Sequence, residues 1–461
     1  MTPTPISTPP PLPHDVVTPA RFPKEILRFR NQRHAETVDL GALTDDEWAA
    51  AFARFSPLPG NLPAPIALRY HGHQFGSYNP NLGDGRGFLF AQVRDAAGRR
   101  LDLGTKGSGT TPWSRGGDGR LTLKGGVREL LATEMLEALG VNTSKTFSLF
   151  ETGESLTRHD EPSPTRASVL TRLSHSHIRF GTFQRLAHIG DGPTLRRVLD
   201  FAIAEYHPTT VGPASFLRAV CSAVAMTCGR WMAAGFAHGV LNTDNMNITG
   251  ESFDYGPWRF VPVADPLFTA AYFDSAGLYA WGRQPEAVRW NLERLRDALA
   301  PLGESMDSAL DGFGSAFFAG LRAGVLQRLG LTSAGDAADS ALVGEWFGWL
   351  EATRVPIDQA YFDCYGGTEG EKRRARSPVG KTYRAAKFDV ITALFSAYTP
   401  THPDRLRSTY LQRERPIDAQ IETVESLWEA IAQTDDWAPL TAHIADIRRL
   451  GALLSAQPCT G

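Results

Sequence analysis

His238-Gly-Val-Leu-Asn-Thr-Asp-Asn245, followed after eight residues by Asp254-Tyr-Gly256, is the stretch on which the reading of this chain turns. Asn245 offers an amide oxygen and Asp254 a carboxylate. A hard divalent cation such as Mg²⁺ takes oxygen ligands of this kind and completes its shell with water and phosphate oxygens. Val240, two residues after the histidine, cannot accept a proton. The nearest carboxylate able to take one from a hydroxyl group is Asp244. The plain alternative is an Asn/Asp-rich turn over 242–247; the Asp-Tyr-Gly that follows favours the metal reading.

Protein kinases carry a loop of pattern H-x-D-x-x-x-x-N and then D-F-G. His238 and Asn245 stand at that spacing, Asp-Tyr-Gly fills the D-F-G slot, and Val240 replaces the usual base. The chain therefore reads as a binder of a nucleoside triphosphate that does something other than ordinary phosphorylation.

Upstream, Gly83-Asp-Gly-Arg-Gly87 precedes a strand-like run. Glycines let a backbone approach phosphate oxygens, and the guanidinium of Arg86 can grip phosphate with two donors. Alone, the motif reads as a hairpin turn. Lys106 ends the next apolar run, and Glu129 lies on the predicted helix after it. A Lys–Glu pair in that order is how a kinase holds the α- and β-phosphates; taken singly, each is an ordinary surface residue. Asp118 and Gly119 sit in a loop with Arg115 and Arg120, and Arg172 and Arg179 flank Ser-His-Ser-His-Ile. Extra cations of this kind suit pyrophosphate; ordinary surface arginines are the default reading from sequence alone. His71 and His73 lack a third ligand at recognisable spacing and read as structural. Cys221 and Cys228 are expected on one buried helix face.

At 461 residues the chain can bury a large core. Net charge is −3 with 21% charged residues, so no global field draws it to nucleic acid or anionic membrane. Four cysteines are too few and too scattered for a disulfide scaffold. The proline-rich start has neither basic nor apolar signal regions and reads as an extended or disordered tail. The apolar segment 214–237 contains Arg218 and Arg230, which argues for a buried helix over a membrane span. A cytoplasmic setting is expected.

Thr44-Asp-Asp-Glu47 is a capping box opening a short helix. Strands are expected at 87–93, 101–105, 145–150 and 168–173, and a helix from Val127 to Leu139 ending at Gly140. Helices are then expected at 194–205, 214–237, 285–299, 305–329 and 338–352, with more in 380–455. The predicted class is α+β, a protein-kinase-like two-lobed fold. Its parts are an arm over 1–40, a small strand-rich N-lobe over 41–185, a helical C-lobe over 186–350, and a C-terminal helical extension over 351–461.

Together these stretches resemble the selenoprotein O (SelO/YdiU) family of kinase-fold protein adenylyltransferases. The match is carried by HGHQFG at 71–76, LGDGRG at 82–87, KGSGTTPWSRGGDGR at 106–120, VREL at 127–130, TRLSHSHIRFGTF at 171–183, HGVLNTDNMNI at 238–248 and DYGP at 254–257. The resemblance implies transfer of AMP from ATP to Ser, Thr or Tyr hydroxyls of proteins, with ATP inverted relative to kinases. It implies that Gly83, Gly85, Arg86, Lys106, Asp118, Gly119, Arg172 and Arg179 contact the nucleotide, with Glu129 pairing Lys106. Asn245 and Asp254 would hold Mg²⁺ (or Mn²⁺), and Asp244 would be the base. The chain departs from the family at Lys124-Gly-Gly-Val, where Ser-Ser-Ile is usual, and at 268–274, which holds no cysteine to pair with Cys459. Without the resemblance, a kinase with a displaced base and a non-catalytic ATP-binding protein stay open.

Overall fold

The computed structural model describes residues 4–159 and 161–455; Cys459 lies outside them. In chain order the strands that concern the site are β1 (Thr4–Pro5), β2 (His14–Val16), β3 (Ile26–Arg30), β4 (Ile66–Leu68), the hairpin β5 (Gly72–Gln74) and β6 (Ser77–Asn79), β7 (Leu89–Arg94), β8 (Arg100–Lys106), β9 (Leu121–Thr122), β10 (Lys145–Leu156) and β11 (Thr165–Ser174). Nine of them form one sheet in the order β2-β4-β7-β8-β11-β10-β3, with β1 on β7 and β9 on β11. Every pairing in it is antiparallel.

The alternation of β8 explains how the sheet is used. Successive side chains of a strand point to opposite faces. Leu101 and Leu103 therefore enter an aromatic cluster with Trp48, Phe52, Phe88, Phe90 and Phe147. Asp102, Gly104 and Lys106 face the other way. On β11, Val169 and Leu173 join the aromatic cluster while Leu170 belongs to the core on the opposite face, which is the face Arg172 shares. The register sets Leu170 opposite Lys106 and Arg172 opposite Gly104. Polar residues of two adjacent strands thus meet on one face.

Fourteen α-helices occur among the described residues. The first are α1 (Gln32–Thr37), α2 (Asp45–Phe52), α3 (Leu123–Ala138), α4 (Phe180–His188), α5 (Gly192–Tyr206) and α6 (Gly212–Ala234). Thr44 and Glu47 make both bonds of the expected capping box at α2. Helix α3 begins four residues before the predicted Val127, because the Thr122 side chain caps the N–H of Gly125. It ends before Gly140, whose φ of +76° suits glycine. The core on the α3 face of the sheet also takes in α6, with Cys221 and Cys228 buried in it.

Further helices are α7 (Gln284–Leu299), α8 (Phe313–Leu329), α9 (Asp336–Thr353), α10 (Ile357–Cys364), α11 (Glu371–Arg376), α12 (Ala386–Phe395), α13 (Ile421–Thr434) and α14 (Ala438–Leu454). Helix α8 starts at Phe313, later than the predicted 305, after a turn through Gly303 at φ +81°. Helices α13 and α14 close the core against α3 through Leu427, Ile431, Ile444 and Ile447. Arg448 reinforces the seam by donating twice to Glu134, at 2.7 and 2.8 Å. The proline-rich start is extended: Thr4–Pro5 and His14–Val16 are strands of the sheet. No helix among the described residues is long and apolar enough to cross a membrane.

Candidate active site

Two loops fold over one another beside the ends of β7 and β8. In the loop 83–87 a Cβ on Gly83 would stand 2.4 Å from Cγ of Trp113, and one on Gly85 would stand 2.8 Å from the Trp113 carbonyl oxygen. Only glycine permits that approach. Thr111 and Ser114 donate their hydroxyls to the carbonyls of Asp84 and Gly85, each at 2.5 Å. Trp113 is anchored in turn by its N–H to Asp15, at 2.8 Å.

Lys106 donates from Nζ to Oε2 of Glu129 on α3 at 2.5 Å. Both side chains are buried. Burial lowers the Lys106 pKa while Glu129 opposes the shift. Arg172 lies 3.6 Å from the other Glu129 oxygen and donates to Oδ1 of Asp254. Arg179 donates to Oδ2 of the same carboxylate, and at 2.7 Å to the backbone carbonyl of Asp244. Burial pushes the Asp254 carboxyl up, but Arg172, Arg179 and Lys106 outweigh it and hold it well below the usual range. Asp254 is therefore an anion in this cleft.

The backbone brings these groups together. Phe180 N–H donates to Met246 O at 3.0 Å and Ile248 N–H to Ile178 O at 3.2 Å, so the segment after β11 runs beside the 242–248 loop. His238 Nε2 bonds the Phe253 carbonyl at 3.1 Å, tying the first motif to the second. Phe253 stacks under both guanidiniums, 5.2 Å from Arg172 and 4.7 Å from Arg179, and Tyr70 lies 4.7 Å from Arg179.

Asn245 spends its amide N–H on the Val240 carbonyl at 3.0 Å. Its Oδ1 has no donor among the described residues and remains an acceptor. Val240 itself lines the cleft, where a kinase would place its base. Asp244 is buried, and burial raises its pKa to about 6 against the pull of Arg179.

The cleft has a volume of about 870 Å³. Gly83, Gly85, Arg86, Lys106, Asp118, Gly119, Arg172, Arg179, Asn245 and Asp254 all line it. Glu129 stands behind Lys106, and Asp244 is set back under the β5–β6 hairpin. Seven cations (Arg86, Lys106, Arg115, Arg120, Arg158, Arg172, Arg179) face three carboxylates (Asp84, Asp118, Asp254) there. This excess, in a chain of net charge −3, suits a triphosphate. Asp118 is engaged by Arg158, which donates to it at 2.7 and 3.0 Å.

Sequence reasoning missed Asp84, a cleft carboxylate 3.6 Å from Arg179 that also accepts the Leu68 N–H at 3.0 Å. It also missed Asp102 and His177. Asp102 accepts from His177 Nδ1 at 3.2 Å, leaving Nε2 to accept from Arg172 Nε at 3.4 Å. No signal in the sequence marks this pair; in the structure Gly104 makes room for the ring, since a Cβ there would stand 2.2 Å from His177 Nε2.

Comparison with known proteins places the chain in a family. The family model described as protein adenylyltransferase SelO matches residues 10–448. The protein nucleotidyltransferase YdiU of Synechocystis sp. is 44% identical over 451 residues, covering 92% of this chain and 93% of its own. That of Gloeobacter violaceus is 42% identical over 457 residues, covering 95% and 92%. A Mycobacterium sp. relative of the same name is 36% identical over 398 residues, 81% of each chain. A match over nearly the whole length makes this chain a member of the SelO/YdiU family of protein nucleotidyltransferases.

Proposed function

We propose that this protein transfers the AMP moiety of ATP to the hydroxyl of a Ser, Thr or Tyr side chain on a protein substrate and releases pyrophosphate. The observation that carries the reading is the convergence of Lys106, Arg172, Arg179, Asn245 and Asp254 with two glycine-rich loops on one cationic cleft. We read the molecule as a kinase-like two-lobed unit, with 41–185 and 186–350 as its lobes. Buried free thiols at Cys221, Cys228 and Cys364 suit a reducing cytoplasm.

In this reaction the acceptor oxygen bonds the α-phosphorus as its proton passes to Asp244. The bond from the α-phosphorus to the bridging oxygen breaks, and pyrophosphate leaves with the electron pair. Negative charge grows on the leaving group. Lys106, held by Glu129, and Arg86, which has no ion-pair partner among the described residues, supply positive charge for it. Arg172 and Arg179 are held near the cleft by Asp254, Phe253 and Tyr70. Val240 takes no proton, which fits an acceptor placed elsewhere than in a kinase.

A divalent cation fits the donor set if it replaces a guanidinium on Asp254, whose two oxygens accept from Arg172 and Arg179, while Asn245 Oδ1 has no donor among the described residues. When bound there, Mg²⁺ or Mn²⁺ would neutralise phosphate charge. The test uses ATP labelled at either end with Mg²⁺ and a mixture of candidate protein acceptors. The reading expects label from the α-phosphate on protein and none from the γ-phosphate. The reverse pattern would mean a kinase.

A further inference from the structure

The His71–Gly76 motif is unexplained by the nucleotide site. Its two histidines are engaged within the fold: His71 Nδ1 bonds Tyr78 Oη at 2.7 Å, and His73 Nδ1 bonds Gln184 at 2.8 Å. The backbone and side chains around them instead reach the 242–245 loop. His73 N–H donates to Thr243 Oγ1 at 2.7 Å, and Phe75 N–H donates to Asn242 Oδ1 at 3.2 Å. Gln74 Nε2 donates to Asp244 Oδ2 at 3.4 Å. Asn79, across the hairpin, donates to Gln74 Oε1 at 3.1 Å, which fixes the amide with its N–H toward Asp244. Three consecutive residues of β5 and its turn thus bond three consecutive residues of the loop.

The other oxygen of Asp244 is buried and has no hydrogen-bond partner among the described residues. It faces Gly72. A Cβ at that position would stand 3.1 Å from Asp244 Oδ1 and 3.0 Å from Thr243 Oγ1. Contacts that tight force the neighbour to shift, so only glycine lets the hairpin pack this closely on Asp244. A buried acceptor without a donor is unfavourable in the resting protein.

We propose that the β5–β6 hairpin is a positioning clamp for Asp244: Gln74, oriented by Asn79, holds Oδ2, and Gly72 leaves room for the carboxylate under the hairpin. The clamp rests on the reading of Asp244 as base. Gln74 does not touch the nucleotide cleft, so its effect belongs to the chemical step and not to ATP binding. A misplacement of about 1 Å in a reacting group can cost on the order of 100-fold in rate.

The test measures kcat and KM for ATP in Gln74→Met, which keeps side-chain length and removes the N–H donor, and in Gly72→Ala. Both should lose tenfold or more in kcat with KM for ATP within about twofold. In an Asp244→Asn background, Gln74→Met should add less than about twofold, because the group it positions is gone. Thermal melts with and without ATP identify any variant that fails to fold. If Gln74→Met does, Asn79→Ala, which only releases the amide, should show a smaller fall in kcat of the same kind. Effects on Asp244→Asn that multiply, a KM that rises in step, or wild-type kcat in the folded variants would overturn the clamp. An Asp244→Asn protein with full transfer would overturn the base assignment instead, and the clamp with it.

Discussion

Arg172 on β11 donates to the Asp254 carboxylate from directly across the strand pair from Gly104. That one contact joins the antiparallel sheet to the loop carrying the second motif. It depends on an empty position: the His177 ring fills the space where residue 104 would carry a side chain. Asp102, His177, Arg172 and Asp254 then form a chain of bonded groups from the sheet into the cleft.

Gly104→Ala should therefore act at a distance. Its methyl would lie 2.2 Å from His177 Nε2, and overpacking of this kind costs about 1–3 kcal/mol. Denaturant melts should show that loss, and ATP-dependent transfer should fall with it as Arg172 is displaced. Adding His177→Ala should return part of the stability without restoring transfer, since the support under Arg172 is removed. If Gly104→Ala melts and transfers as wild type, the space argument is wrong.

The Lys106–Glu129 pair predicts a separation of stability from binding. Removing one partner of a buried ion pair typically costs about 3–5 kcal/mol, whereas replacing both by apolar residues is near neutral. Lys106→Met should be strongly destabilised. Lys106→Met with Glu129→Leu should regain most of that loss. Neither protein should show the rise in melting temperature that ATP gives the wild type. A double variant still protected by ATP would remove Lys106 from the nucleotide site.

Much of this site is legible in the chain. The spacing of His238, Asn245 and Asp254 marks the loop pair, and the order Gly83, Lys106, Glu129 marks the side proposed to take the phosphates. Local capping rules foretell the box at Thr44 and the stop at Gly140. What is not legible is long-range. The strands at Thr4–Pro5 and His14–Val16 exist because partners far along the chain accept them, and short polar runs carry no periodicity to reveal that. Asp84 and His177 look like ordinary polar residues until the sheet sets them beside Arg179 and Gly104. The depth of Asp244 depends on the β5–β6 hairpin, more than a hundred residues earlier. Helix α8 starts later than expected because 307–312 forms turns, with the Ala309 N–H on Met306 O and the Phe313 N–H on Leu310 O.

Glu251 supplies a pH test outside the cleft. Burial raises its pKa to about 7 from the ordinary 4.5, although Lys145 and the His175 N–H pull it down. The native state thus holds the proton at pH values where the unfolded chain has lost it. The Glu251 contribution to stability must fall as pH rises from about 4.5 and level off above about 7. The full cost is about 3 kcal/mol. Glu251→Gln can still accept the His175 N–H and carries no charge. It should match the wild type in urea at pH 5 and exceed it at pH 8. Equal midpoints at both values would contradict the assignment.

The central claim is that groups remote in sequence share one nucleotide. The most direct measurement is a crystal structure with a non-hydrolysable ATP analogue and Mg²⁺. The account predicts phosphates between the 83–87 and 107–120 loops, within hydrogen-bonding distance of Arg86 and Lys106, and a cation bound by Asn245 Oδ1 and Asp254. Nucleotide bound elsewhere, with this cleft left to solvent, would contradict it.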